Sequence, residues 1–375
     1  MKKLYRLDAW HKLLALRFKS LKWRHGVLIA LLILVTLTKM IPLWGFIYTT
    51  RIYPVIGTLL SPISGFFPFA VGDIFIALSI AWVILYPIYE MGWRKKMVLG
   101  RVAEYLLWVY AWFYIAWGLN YSQPNIYYRI GMKPVEVSKA KFKKFAYQYA
   151  DSLNALSIAS LSNARKSISP DSIVDDALKN RVRDAVLKEY NKIGYREGIN
   201  RPFNQHPHAK TMVFTPISSM SGVTGSMGPF FCEFTLNGDI LAHDYPATYA
   251  HEFAHFLGVA NEGEANFYSY IVCTASADKQ VRFSGYYHIF FHVLNNVFDI
   301  LGEKEGERFL KHIRPEIIQR ARNDRHYWLS KRCKALDAAQ DFIFELYLKG
   351  NHVAEGRKSY SGVIGLILAW EEKKK

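Results

Sequence analysis

The sequence is poor in cysteine and in acidic residues. Only three of its 375 residues are cysteines, Cys232, Cys273 and Cys333, and no two of them form a Cys-x-x-Cys pair. A zinc site built from thiolates is therefore not expected, and at most one disulfide could form. The 31 acidic residues are outnumbered by 48 basic ones, which gives a formal net charge of +17.

Long apolar runs are absent beyond the first third of the chain. There, three segments approach the roughly 20 residues that cross the hydrocarbon core of a bilayer, and we expect each to be a transmembrane helix: 26–47, 68–89 and 102–121. A cleaved signal peptide is the alternative for the first segment. Because no small-x-small cleavage site follows it, we favour an uncleaved anchor. The membrane domain is thus predicted at 26–121.

Much of the positive charge flanks these apolar segments. Residues 1–25 contain Asp8 as their only acidic residue and form either a basic amphipathic helix on the membrane surface or a solvated tail. A second basic cluster lies at 94–101. The positive-inside rule puts both clusters in the cytoplasm, so three spans place 122–375 outside it, as in a multi-pass protein of the bacterial inner membrane. No nucleic-acid module is recognisable, so the predicted partner is a lipid bilayer and not a nucleic acid.

The part of the chain at 122–375 is predicted to be one mostly helical domain with a small β region. Residues 52–70, ahead of the second span, are expected to form an apolar loop, and residues 211–240 combine β-branched and aromatic residues with glycines, which favours short strands. Helical spacing marks the other segments: 137–156, 171–194, 246–259, 262–276, 283–302, 305–321, 331–349 and 358–371. The fold class is therefore α+β, with a zincin-like order of elements.

A His-Glu-x-x-His motif occupies residues 251–255. On a helix, His251 and His255 lie one turn apart on one face, so both imidazoles can reach a single metal ion. Glu252 has the position of the general base in zinc metallopeptidases, where this carboxylate takes a proton from metal-bound water. Two histidines in a core helix, satisfied by ordinary hydrogen bonds, are the simpler interpretation. The intact helix context and the acids that follow favour the metal site.

Zinc needs a third protein ligand and keeps a fourth position open. Asn261, Glu262 and Glu264 follow the motif closely, but asparagine is a poor zinc ligand. The metzincin pattern also needs a methionine after the motif, and the last one here is Met227. Glu262 and Glu264 are two residues apart, so a helix cannot direct both to one point. We favour Glu264, which lies further inside the next helix, and keep Glu262 as the alternative. Other divalent ions also suit such ligands.

Residues near the motif offer a substrate site. The stretch 225–234 forms either an edge strand that holds an extended peptide beside the metal or a plain glycine-rich hairpin. An oxyanion donor is also needed. The candidates are Tyr286, His288 and Tyr360, for each of which a structural role is the simpler explanation. Four histidines have no assigned role: His206, His208, His243 and His292.

Several local motifs resemble an uncharacterised family of bacterial membrane proteins, in which three N-terminal spans precede an outer domain with a His-Glu-x-x-His motif. The resemblance covers most of the chain and implies a gluzincin-like zinc peptidase with Glu264 as the third ligand. The residues before the motif, 243–246, depart from the family pattern. The matching stretches are 251–258, Glu264-Ala265-Asn266-Phe267, Pro68-Phe69-x-x-Gly72-Asp73, Trp117-Gly118-Leu119-Asn120-Tyr121, Ser284-Gly285-Tyr286 and Tyr360-Ser361-x-Val363.

The sequence therefore predicts a membrane-anchored zinc metallopeptidase that cleaves a peptide or protein substrate outside the cytoplasm. A catalytically inactive zincin-fold scaffold of the cell envelope is the main alternative. An intramembrane protease is less favoured, because the apolar segment around the motif is too short to span a bilayer. A small transporter would be supported only by the spans and by Asp73, and Asp73 also suits a helix cap.

Overall fold

A computed structural model describes residues 23–90, 95–135, 138–164, 174–204, 207, 209–334 and 362–374. Most of the predicted basic segment 1–25, most of the helix predicted at 331–349, His206, His208 and Tyr360 therefore lie outside the described residues. The N-terminal part contains three long helices and two shorter ones. Their bounds are α1 Trp23–Met40, α2 Pro42–Ile47, α3 Tyr53–Gly65, α4 Val71–Glu90 and α5 Lys95–Ala116.

The helices α1, α4 and α5 form a layer in which α4 runs opposite to the other two. Arg24, at the start of α1, pairs with Glu104 in the middle of α5, and Lys39, near the end of α1, donates to Tyr114 near the end of α5, so these helices are parallel. The antiparallel direction of α4 follows from two contacts with α5, Ser79 with Tyr105 and Tyr86 with Arg101. The basic residues at the starts of α1 and α5 therefore lie at the end of the layer remote from the rest of the chain.

Two of the described helices, α1 and α4, are long and apolar enough to cross a membrane, with mean hydropathies of 1.4 and 2.0. Only 6% of the apolar window of α4 is buried within the protein. The expected third span folds as the 22-residue helix α5 but does not reach the same apolar character. Arg101, Glu104 and several tyrosines and tryptophans lower its hydropathy. The prediction of three spans is thus corrected to two candidates.

Proline residues shape the chain between α1 and α4. The predicted span 26–47 is broken at Ile41, whose backbone is extended (φ −113°, ψ 101°) because Pro42 follows it and begins α2. The predicted loop 52–70 is instead largely the helix α3. Pro54 suits the first turn of α3, and the Tyr53 hydroxyl anchors that turn by donating to the carbonyl of Phe256 at 2.7 Å. Burial of Tyr53 outweighs the loop tendency of the glycines and prolines.

The rest of the described chain is a mainly helical domain with one small sheet, so the α+β class is confirmed. The sheet order is β1-β3-β2, with β1 parallel and β2 antiparallel to β3, which leaves β2 at an edge. The strands are β1 Lys210–Thr211, β2 Gly225–Gly228 and β3 Glu233–Leu236. The helices are α6 Ile126–Arg129, α7 Lys139–Ala164, α8 Asp176–Ile193, α9 Thr215–Met220, α10 Tyr245–Phe256, α11 Glu262–Ala275, α12 Lys279–His288, α13 Phe290–Leu301, α14 Glu303–His312, α15 Pro315–Lys331 and α16 Gly362–Lys373.

The core of the domain is built around α10 and α11. These helices pack against each other, α12 packs on both, and α16 covers α11. Aromatic rings from β3 and α10 fill the space between the sheet and the helices, among them Phe234, Tyr249 and Phe253. The helix predicted at 283–302 is divided into α12 and α13 at Ile289 (φ −94°, ψ 5°), whose side chain is fully buried.

The C-terminal helix α16 is expected to stabilise the whole domain. Ile367 is completely buried between α16 and the core. The substitution Ile367→Ala should therefore lower the free energy of unfolding by about 2–5 kcal/mol, because it removes buried apolar contacts and leaves a cavity. Urea unfolding in detergent would measure this. Leu329→Ala, at a side chain that is 55% exposed, is the control and should change stability by less than about 0.5 kcal/mol. Equal effects would show that α16 does not belong to the core.

Candidate metal centre

The helix α10 carries the His-Glu-x-x-His motif in a fully buried position. Pro246 occupies its first turn, where a missing N–H costs nothing, and all twelve of its residues are buried. His251 and His255 lie one turn apart and face α11, with ring centroids 4.7 Å from each other. The predicted helix and the shared face of the two histidines are therefore present.

The C-terminal end of α10 is held by four side chains from three other segments. The last carbonyls of a helix lack partners within the helix. Here the four consecutive carbonyls of residues 255–258 each accept a hydrogen bond from a side chain, at 2.7–2.9 Å. The donors are Trp117 to His255, Tyr53 to Phe256, Asn200 to Leu257 and Gln123 to Gly258. Trp117 directly follows α5, so the motif is attached to the end of the helix layer.

Two imidazole nitrogens and one carboxylate oxygen converge at the motif. The Nε2 atoms of His251 and His255 are 3.1 Å apart. The Glu262 Oε2 atom, from the first turn of α11, lies 3.1 Å from Nε2 of His251 and 3.5 Å from Nε2 of His255. These three residues form a group that could hold a metal ion. A tetrahedral zinc ion with bonds of about 2.05 Å would separate its ligand atoms by about 3.3 Å, so the donor set fits zinc.

The other ring nitrogens of both histidines are fixed by hydrogen bonds. Nδ1–H of His255 donates to the carbonyl of Val259 at 2.7 Å, and Nδ1–H of His251 donates to Oδ1 of Asn266 at 2.8 Å. A carbonyl oxygen only accepts, so Nδ1 of His255 carries the proton. In the neutral rings the lone pair is then on Nε2, which is directed at the site.

Without a metal, the three groups form a charged cluster. Burial opposes a charge on His255, but the Glu262 carboxylate outweighs burial and raises the pKa of His255 to about 9. Burial would likewise raise the pKa of Glu262, but the facing histidines hold it well below its usual range. The site therefore contains an ionised carboxylate beside two buried imidazoles, which is an arrangement that a divalent cation stabilises.

Glu264, the favoured third ligand, is not beside the histidines. Its carboxylate accepts a hydrogen bond from the backbone N–H of Ile126 at 2.9 Å and pairs with Arg129 at 2.6 Å, and both charged side chains are almost fully buried. The structure thus brings Glu262, the alternative, beside the two histidines and places the favoured Glu264 elsewhere. Glu264 instead ties the first turn of α11 to α6 and so positions Glu262. Asn261 is the N-cap of α11, since its Oδ1 accepts from the N–H of Glu264.

Glu252 is buried one residue from His251, and β2 lies directly against it. Within the described part of the chain no hydrogen bond ends on its carboxylate. Burial raises its pKa, and this effect outweighs the opposing influence of the two histidines. A Cβ atom at Gly225 would lie 2.4 Å from Oε1 of Glu252, so only glycine fits there. The stretch 225–234 thus lies in a β-hairpin whose outer strand, β2, is next to the motif. The hairpin is therefore present, and peptide binding along β2 stays a prediction.

The family described as "Protein of unknown function (DUF3810)" matches residues 48–368. The chain belongs to the DUF3810 family. No curated protein and no solved structure matches the chain. The region that matches the DUF3810 family extends from the turn before α3 into α16, so it includes α4, α5 and every residue of the cluster described above.

Two contributors to this site, Asn266 and Trp117, occur in sequence motifs quoted above but were given no role in the site there. Asn266 accepts hydrogen bonds from both His251 and Nε2–H of His288, the latter at 2.9 Å. The available signal was its spacing of four residues from Glu262, which places both on one face of α11. The second contributor is Trp117, whose ring lies 6.3 Å from that of His255. Nothing in the sequence pairs residues 138 positions apart.

The three residues considered from the sequence as oxyanion donors do not all lie near the motif. His288 is near the site, with its ring centroid 6.0 Å from that of His251, and burial lowers its pKa to about 3, so the ring is neutral. Tyr286 lies between Tyr149 and Tyr270 in the core. Tyr360 is outside the described residues. His288 is therefore the only one of the three that the described chain places beside the motif.

A second group of possible ligands surrounds the start of α10. His243, Asp244 and Asp324 have ligand atoms close together. Asp324, however, already accepts hydrogen bonds from His243 at 2.8 Å and from Tyr287 at 2.5 Å. Burial raises the pKa of Asp244 to about 6. This group is satisfied by hydrogen bonds and lies apart from the cluster at His251.

Replacement of Glu262 and of Glu264 by glutamine should have different effects, the first on zinc content and the second on stability. Glu262→Gln removes an anionic ligand, so zinc per chain should fall from near one to a small fraction in a protein that stays folded. Glu264→Gln leaves the buried Arg129 without its partner and should lower stability by about 3–5 kcal/mol, with zinc retained in the folded fraction. Metal analysis and thermal unfolding measure the two effects. Zinc loss in Glu264→Gln alone would contradict this assignment.

Proposed function

We propose that this DUF3810 protein is a membrane-anchored zinc metallopeptidase. The proposal rests chiefly on the convergence of His251, His255 and Glu262, with Glu252 adjacent to them and an open strand edge beside Glu252. Three protein ligands leave one coordination position open, as in catalytic zinc sites. His251, His255 and Glu262 would hold the ion, which would polarise a substrate carbonyl and acidify a water molecule.

Glu252 is proposed as the general base and general acid. A buried carboxylate whose pKa is raised, and to which no described residue donates a hydrogen bond, is suited to accept a proton near neutral pH and to release it again. It would take the proton from the attacking water and deliver it to the nitrogen of the leaving amine. His288 and Asn266 would keep His251 in the tautomer whose Nε2 lone pair is directed at the site.

The edge strand β2 is proposed to bind the substrate backbone. Asn237 N–H donates to the carbonyl of Thr224, and residues of an antiparallel pair alternate in the direction of their hydrogen-bonding groups. The backbone groups of Gly225 and Met227 should therefore point away from β3, toward the side of β2 that pairs with no other strand among the described residues. An extended peptide that adds there would lie beside Glu252. This arrangement favours peptide or protein substrates.

The helix layer is proposed to lie in the bacterial inner membrane. The candidate spans α1 and α4 expose apolar surface, and α5 packs alongside both. Arg24 and Arg101 lie at the end of the layer remote from the domain. The positive-inside rule then puts that end in the cytoplasm and the metal centre outside it. The bilayer is thus the first partner of the protein.

Replacement of the proposed base should separate metal binding from turnover. Glu252→Gln is expected to bind zinc like the wild type, because Glu252 is not among the converging ligands, and to lose peptide cleavage almost completely. Metal analysis and cleavage of a mixture of unstructured peptides would measure this. Cleavage by Glu252→Gln at the wild-type rate would exclude the mechanism. Zinc binding by a wild type that cleaves nothing would indicate a scaffold protein.

A larger residue at position 225 should displace Glu252 and reduce peptide cleavage almost as strongly as replacement of Glu252 itself. Gly225→Ala would place a methyl group 2.4 Å from Oε1 of Glu252 and displace the carboxylate. A shift of about 1 Å costs roughly a hundredfold in rate, so cleavage should fall to that extent while zinc content is unchanged. Gly365→Ala is the control, because its added methyl group would meet only the Tyr127 hydroxyl at 3.7 Å. Full activity in Gly225→Ala would contradict the placement of Glu252.

A further inference from the structure

The turn between β2 and β3 is inserted between two helices of the layer. The carbonyl of Phe230 accepts a hydrogen bond from Trp112 Nε1 of α5 at 3.1 Å. The ring of Phe75 on α4 lies 4.9 Å from that of Phe230 and 5.6 Å from that of Phe231. Phe75 and Trp112 are each four residues inside the ends of their helices, which are Val71 and Ala116. The turn therefore lies about 6 Å, one helical turn, below the end of the layer.

The opposite end of β2 is at the proposed catalytic base. Gly225 touches Glu252, and His255, one turn further along α10, is held by Trp117 at the end of α5. Phe230 is five positions after Gly225, which is at most about 17 Å of extended chain. The edge strand thus leads from the candidate metal centre to the helix layer over this short distance.

A buried ion pair keeps the strand in this direction. Lys210 pairs with Glu233 of β3 at 2.7 Å, and both side chains are less than one-tenth exposed. Glu233 also accepts from the N–H of Gly72 at 2.6 Å, and Lys210 donates to the carbonyl of Ser64 at 2.6 Å. The sheet is therefore joined to the last turn of α3 and the first turn of α4, and β2 cannot turn away from the layer without breaking these bonds.

The segment that leads into β2 is apolar and lies at the same level. The N–H of Val213 donates to Asp73, in the first turn of α4, at 2.9 Å. Ile217 is 56% exposed and Met220 41% exposed, next to the turn that precedes Gly225. The chain between the first turn of α4 and the start of β2 thus exposes apolar side chains, as α4 itself does.

From this arrangement we infer that the substrates are polypeptides anchored in the same membrane, cleaved in the stalk within about five residues of their membrane-embedded part. This inference rests on the proposed peptidase function and adds the substrate class. A strand added to β2 extends directly toward the bilayer, whereas a soluble peptide gains nothing from that direction. Anchoring also confines the substrate stalk to the zone next to the membrane in which the site lies. This raises the effective concentration of the stalk at the site.

Cleavage of paired probes would test the substrate class. Full-length protein in proteoliposomes would receive a polyleucine–alanine membrane helix with an outer stalk of randomised sequence, or the same stalk without the helix. The anchored stalk should be cleaved at least about tenfold faster, at bonds that cluster near the helix even when a Gly-Ser spacer shifts the sequence outward. Equal rates, or cleavage that follows the sequence through the spacer, would overturn the inference.

A cross-linking measurement without turnover distinguishes this inference from the proposed function. In Glu252→Gln with the exposed Cys333 replaced by serine, Ser226→Cys should form disulfides with stalk cysteines a few residues from the helix. Cys232 and Cys273 are buried and should not interfere. Ser330→Cys, exposed on α15, is the matched control. Cross-links without wild-type cleavage would refute only the peptidase function. Cleavage with cross-links that are independent of anchoring would refute only the inference.

Discussion

The four hydrogen bonds at the C-terminal end of α10 determine where the candidate site lies. A helix end that is buried must have its last carbonyls satisfied, or each costs about 1–3 kcal/mol. In this protein the donors come from α3, from the turn after α5 and from the segment near residue 200. The motif helix therefore cannot move relative to the helix layer without losing all of them. The two histidines, Glu252 and the helix layer are thereby held in fixed positions relative to one another.

The ion pair of Arg129 with Glu264 has the corresponding effect on α11. It joins the start of that helix to α6, and Glu262, two residues earlier, is then directed at the histidines. Such a pair costs desolvation, which good geometry and an additional hydrogen bond from Ile126 offset. The consequence is a first turn of α11 that holds one carboxylate for structure and another for the site.

Two glycines and one asparagine around the site allow the close packing of the sheet, the turn after α10 and the two histidines. A side chain at Gly225 would collide with Glu252, and Gly258, with φ of 96°, lets the chain turn back after α10 toward α11. Asn266 satisfies two histidines at once. The roles of these residues come from the contacts in which the fold places them, and not from their chemical type alone.

The sequence by itself determined the motif helix, the pair of histidines on one face, the position of Glu252, the small glycine-rich β region and the apolar character of α1 and α4, because these depend on local spacing and composition. It favoured Glu264 over Glu262, whereas the structure directs Glu262 at the histidines and pairs Glu264 with Arg129. Both stand in one helical turn, and the choice depends on Arg129 and Ile126, more than 130 positions away. The same holds for Trp117 and for the fold of residues 53–65, where buried contacts outweigh local preference. Contacts between distant parts of the chain, which leave no periodic trace in the sequence, decided these features.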